Sequence, residues 1–92
     1  MGCIVILYKV RIKNSAKSDL RKIKESHLKI SFQEVVETLK RNPYEPSQSF
    51  EKLQPYSSGR YSRRINSQHR VVYRVDDENK IVEIYSAWSH YR

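Results

Sequence analysis

Glycine and proline are scarce in this 92-residue chain, at two and three, which excludes a linker, a collagen-like repeat or a low-complexity segment. Cysteine occurs once, at Cys3. No internal disulfide can form, and a reducing, cytoplasmic setting fits. No apolar run approaches the roughly 20 residues of a membrane span, so a soluble protein is expected. The stretch from Cys3 to Leu7 is too short for a secretory signal and lacks a basic flank before it. Gly2 invites a lipidation reading, but that motif needs Ser or Thr at position 6, where Ile6 stands. The length leaves room for one domain, 1–92, around one core.

What is abundant is positive charge. Eighteen basic side chains face ten acidic ones, a net +8. The excess is uneven. Residues 1–30 carry eight basic and two acidic groups, and residues 50–74 carry six and one. The stretches 31–49 and 75–92 are slightly acidic. Solubility alone does not call for two separate basic blocks, and a small domain this basic points to a polyanion, nucleic acid first. Seven tyrosines are many for the length, but a tyrosine ring packs in a core as readily as it stacks on a base.

Periodicity orders the chain. Ile4 to Lys13 reads as a strand, with Tyr8, Val10 and Ile12 alternating with Lys9, Arg11 and Lys13. Asn14-Ser15 breaks it and is expected to cap a helix over Ala16 to Glu25, whose apolar positions are Leu20 and Ile23. Leu28, Phe32, Val35, Val36 and Leu39 make the stripe of a second helix, which Asn42-Pro43 ends. Residues 42–59 hold all three prolines and one glycine, a long connection of the kind that often carries function. Arg60 to Ile65, His69 to Val75 and Lys80 to Ala87 then read as strands joined by short polar turns. The order β-α-α-β-β-β predicts an α+β fold, a small twisted antiparallel sheet with both helices on one face.

The first hairpin carries the clearest chemistry. With Asn66-Ser67-Gln68 as a three-residue loop, Arg64 faces Arg70 on one sheet face, their Cβ atoms about 5 Å apart. Such a pair repels unless an anion lies between, and a guanidinium fork suits phosphate. A carboxylate, Glu51 or Glu83, is the other way to satisfy it. Glu51 in the long loop and His90 near the chain end carry little weight alone, since terminal residues are usually frayed surface. Together with the arginines they make a chemical set. Attack of an RNA 2′-OH on its phosphate needs a base, an acid for the leaving 5′-oxygen and donors for the phosphorane charge, and these residues supply all three without metal or other cofactor. His27, His69 and His90 lack ligand spacing, and no nucleophile elbow is present.

The strings Phe50-Glu51-Lys52-Leu53, Ser58-Gly59-Arg60-Tyr61-Ser62-Arg63-Arg64-Ile65, His69-Arg70-Val71-Val72-Tyr73 and Ser89-His90-Tyr91 fall in the order and spacing of the YoeB/Txe toxins. Asn42-Pro43-Tyr44 is similar to the family's helix-to-loop junction. Residues 42–91 thus resemble this branch of the RelE-like group. The resemblance implies a type II toxin, a ribosome-dependent endoribonuclease that cuts messenger RNA in the A site. It implies Glu51 as general base, His90 as general acid, Arg64 and Arg70 on the phosphate, and Tyr91 holding the nucleotide. Lys52, Tyr61 and Arg63 become candidate RNA contacts. An antitoxin of the YefM/Axe kind and a toxin homodimer are the implied protein partners. Gln54 departs from a lysine common in the family, Tyr61 from a tryptophan, and Arg92 extends the usual His-Tyr end.

Two rival readings compete. A non-catalytic homologue that blocks translation by occupancy would have no use for Glu51 and His90, and both are present. A transcriptional regulator acting with an antitoxin would need a DNA-reading element, and these helices run into sheet.

Overall fold

The computed structural model describes residues 7–88. Strand β1 (Lys9–Ile12) leads through a 3-10 turn at Asn14–Ala16 into α1 (Lys17–Lys24) and α2 (Lys29–Arg41). A long loop reaches β2 (Glu51–Lys52), and β3 (Arg60–Arg64), β4 (Arg70–Asp76) and β5 (Ile81–Ser86) follow. The five strands form one sheet in the order β1-β5-β4-β3-β2.

The α+β order is as expected, with two refinements. The sheet is mixed, because β1 lies parallel to β5, with Val10 beside Val82 and Ile12 beside Ile84. A parallel pair needs a crossover. Here the helices carry the chain to the far edge, and the β2–β5 meander brings it back. The second refinement is β2, which has only two residues and pairs Glu51 with Ser62 and Lys52 with Tyr61.

Alternation then divides the sheet. One face is apolar. Val71 and Tyr73 of β4, with Val82 and Ile84 of β5, are buried against Ile23, Leu28, Val35 and Leu39 of the helical layer. Burial of a Leu, Ile or Val side chain contributes about 1.5–3 kcal/mol, so this layer pins the helices to the sheet. The expected cap at Asn14-Ser15 does not form. α1 has no side-chain cap. Ser15 Oγ donates instead to the Tyr85 carbonyl at 2.7 Å, which fastens the turn to β5.

Two contacts set where the chain leaves the sheet. The Ala87 N–H donates to Asp19 Oδ2 at 3.1 Å. The Trp88 ring stacks on His69 with centroids 4.2 Å apart. The last described residue therefore lies against the β3–β4 hairpin.

Candidate functional site

The β3–β4 hairpin turns as its sequence predicts. Ile65 N–H donates to the His69 carbonyl at 2.8 Å, leaving Asn66-Ser67-Gln68 as the loop. Asn66 Oδ1 accepts from the N–H groups of Gln68 and His69 at 2.9 and 2.8 Å, a side chain standing in for a backbone turn. The register that follows sets Arg64 directly opposite Arg70.

Opposed residues of an antiparallel pair share a face. Glu51 opposes Ser62, two positions from Arg64, so Glu51 joins the arginines on the face away from the helices. Its carboxylate lies 3.9 Å from Arg70 Nη1. Arg64 Nη1 donates to the Ser67 carbonyl at 3.0 Å. Glu83, the other carboxylate considered for this pair, faces Lys13 at 3.7 Å instead. The structure thus gathers Glu51, Arg64 and Arg70 in one place. His90 and Tyr91 lie outside the described residues.

Arg63 is a correction. Expected to touch RNA, its side chain is wholly buried. Strand alternation turns it to the helical side while Arg64 turns outward. Its Nη1 donates to the Ser47 carbonyl at 2.8 Å. Its Nη2 donates to the carbonyls of Pro43 and Glu45 at 2.9 and 2.7 Å. Nε donates to the Tyr73 hydroxyl at 3.1 Å, which itself donates to Pro43 O at 2.6 Å. The guanidinium carbon sits 4.8 Å from the centre of the Phe50 ring. A buried cation is tolerated only when its donors are met, and here the carbonyls of one loop meet them.

That loop delivers Glu51. Gln48 and Ser49 take φ values of 55° and 54°, a left-handed pair that costs non-glycine residues about 1–2 kcal/mol each. Arg63 grips the loop on one side of this kink. On the other, Arg64 N–H donates to the Gln48 carbonyl at 2.7 Å. Consecutive arginines of one strand thus hold the segment that brings Glu51 to Arg70.

Lys52 and Tyr61 oppose each other in β2 and β3, one step from Glu51 and so on the helical side of the edge. Tyr61 stacks on Phe50 at 5.4 Å and meets the edges of Tyr44 at 5.5 Å. Lys52 Nζ hovers 5.6 Å from the Tyr56 ring. Neither is brought onto the face of Glu51, Arg64 and Arg70. Sequence reading passed over Arg60 and Arg74, which lie opposite each other on that face. The hairpin register that paired Arg64 with Arg70 was signal enough to find them.

A two-helix layer on a five-stranded mixed sheet is the fold of the RelE- and YoeB-like toxins. The family model for the YoeB-like toxin of bacterial type II toxin-antitoxin systems matches residues 13–91, and the chain belongs to this family. Among solved structures, the YoeB dimer from Staphylococcus aureus is 31% identical, with a TM-score of 0.77 over 91% of this chain and 98% of that one. The S. aureus YoeB–YefM toxin–antitoxin heterotetramer gives 31% identity and a TM-score of 0.76 over the same shares. A YoeB/ParE toxin from Agrobacterium tumefaciens gives 25% and 0.77, covering 90% of this chain and 99% of that one. Comparison with curated protein sequences gives no match. No helix among the described residues is long and apolar enough to cross a membrane.

Proposed function

We propose that this toxin is a ribosome-dependent endoribonuclease that cleaves messenger RNA in the A site without a metal ion. The observation that carries the reading is the meeting of Glu51 and Arg70 at 3.9 Å beside Arg64, its register partner. Glu51 takes the proton of the 2′-OH, whose oxygen attacks the adjacent phosphorus. Arg64 and Arg70 neutralise the charge that builds on the phosphorane oxygens. The 5′-oxygen leaves with a proton from His90, and a 2′,3′-cyclic phosphate remains. Trp88, two residues before His90, stacks on His69, next to Arg70 in β4, which supports this role for His90. Tyr91 holds the nucleotide.

The S. aureus relatives form a toxin dimer and a complex with the antitoxin YefM. By the same reading, a YefM-like antitoxin neutralises this chain, and it pairs with a second copy of itself. The cytoplasm, where ribosomes translate, is its compartment.

The test is primer extension on translated messenger with wild type, His90→Ala and Glu51→Gln. Loss of an acid or base lowers cleavage about 10²–10⁴-fold, while antitoxin binding persists. Growth arrest by His90→Ala with wild-type cleavage would refute the assignment. Arrest without cleavage by any form, wild type included, would favour inhibition by occupancy.

A further inference from the structure

The open face carries a second cross-strand arginine pair. Arg60 of β3 lies directly opposite Arg74 of β4, as Arg64 lies opposite Arg70. The pairs stand four residues apart along β3, about 13 Å at the rise of an extended strand. Ser62 and Val72, opposite each other, separate them. Both Arg60 and Arg74 are exposed. Among the described residues no ion pair reaches either one. Arg60 lays its guanidinium over the Tyr85 ring at 5.2 Å.

Like charges set directly opposite destabilise a sheet. Glu83 stands opposite Arg74 by register, and Asp76, Asp77 and Glu78 line the same hollow as Arg74 without an ion pair to it. Glu83 is engaged elsewhere, 3.7 Å from Lys13 Nζ and accepting from the Tyr85 hydroxyl at 3.4 Å. Two arginines on opposed strand positions, neither held in an ion pair among the described residues, suit a tetrahedral anion. Their continuity with Glu51, Arg64 and Arg70 on one face decides which anion. A strand with its scissile phosphate at Arg64–Arg70 presents another phosphate to Arg60–Arg74 a few nucleotides away.

We propose that Arg60 and Arg74 form a second phosphate subsite, which holds the backbone of the substrate RNA strand away from the cleavage point. The subsite rests on the ribonuclease reading for its ligand. It ends at Glu83, whose negative charge turns the strand away from β5. Backbone contact makes it indifferent to base identity.

The experiment uses the full chain and an uncleavable 2′-O-methyl oligoribonucleotide, with binding followed by fluorescence anisotropy over a salt series. Single-stranded RNA loses about 0.7 in the slope of log K against log salt per phosphate contact removed. R60Q/R74Q, which removes the one phosphate contact of the subsite, is expected to flatten the slope by about 0.7, and each single variant by part of that. K17Q/K22Q removes the same charge from exposed positions of α1 and leaves the slope alone. The single variants decide the matter if the double variant folds poorly. Equal slopes for the two double variants, an unchanged slope in R60Q/R74Q, or no binding by wild type overturns the subsite. Primer extension separates the two readings. Messenger cleavage by wild type with no slope difference overturns the subsite alone. A slope difference without cleavage overturns the ribonuclease alone.

Discussion

Arg63 and Arg64 are neighbours of one type on one strand, and they live in opposite surroundings. Arg63 is wholly buried, with four donor contacts to a loop and a tyrosine. Arg64 is exposed and reaches one carbonyl, that of Ser67. Alternation along β3 does this: the inner arginine builds the loop and the outer one stands on the open face. The comparison breaks most directly through stability. Arg63→Met takes one donor from each of three loop carbonyls, which keep the Tyr73 hydroxyl, Ser47 N–H and Phe50 N–H, and leaves the Tyr73 hydroxyl without the Arg63 contact. A loss of about 1–3 kcal/mol is expected, the cost of leaving buried polar groups short of a hydrogen bond. Arg64→Met, on the surface, is expected to stay within about 0.5 kcal/mol. Urea unfolding of both variants decides it, and equal losses would abolish the distinction.

The inner network also titrates. Burial pushes the Tyr73 hydroxyl up to about 12 from 10.0, against the opposing pull of the Arg63 charge. The folded value lies above the unfolded one. The stability tied to this proton is therefore complete below about pH 10 and is lost as pH rises toward 12. Burial and Asp77, which accepts from both hydroxyls at 2.9 and 2.7 Å, raise Tyr8 and Tyr44 in the same direction. Alkaline unfolding should be less steep in Tyr73→Phe than in wild type, although that variant starts from a lower stability. Identical slopes would mean that Tyr73 ionises freely and that the inner network is loose.

These contrasts were partly legible beforehand. Alternation and turn residues gave the helices, the meander and the Arg64–Arg70 register, because the short Asn66 loop leaves little freedom in pairing. The same alternation assigns Arg63 to the inner face once Arg64 is placed outward, and a motif read as a string of basic residues hides that. The acceptors around Arg63 were not legible at all. They are main-chain carbonyls of Pro43, Glu45 and Ser47, and a carbonyl carries no residue identity. Strand β2 escaped because two residues have no period. The parallel alignment of β1 with β5 escaped because it is a long-range pairing between opposite ends of the chain. Glu51 became identifiable through the resemblance, and its reach to Arg70 became visible only with the kinked loop in place.

The smallest expected effect sharpens the outer side of the comparison. Glu51 and Arg70 lie 3.9 Å apart, with side chains 63% and 15% exposed. An ion pair this long and this wet is worth about 0–1 kcal/mol. A double-mutant cycle of Glu51→Gln and Arg70→Gln, read by urea unfolding, should therefore give a coupling below about 1 kcal/mol. By the roles proposed for Glu51 and Arg70, the same substitutions should lower messenger cleavage by orders of magnitude, because base and phosphate donor would act on the transition state and not on the fold. Weak coupling in stability beside strong dependence in cleavage is what a site open to substrate requires. A rigid carboxylate–guanidinium lock would have to be broken before a phosphate could enter between them. A coupling of about 3 kcal/mol would make Glu51 and Arg70 a second structural clasp, and would move the chemistry elsewhere on the open face.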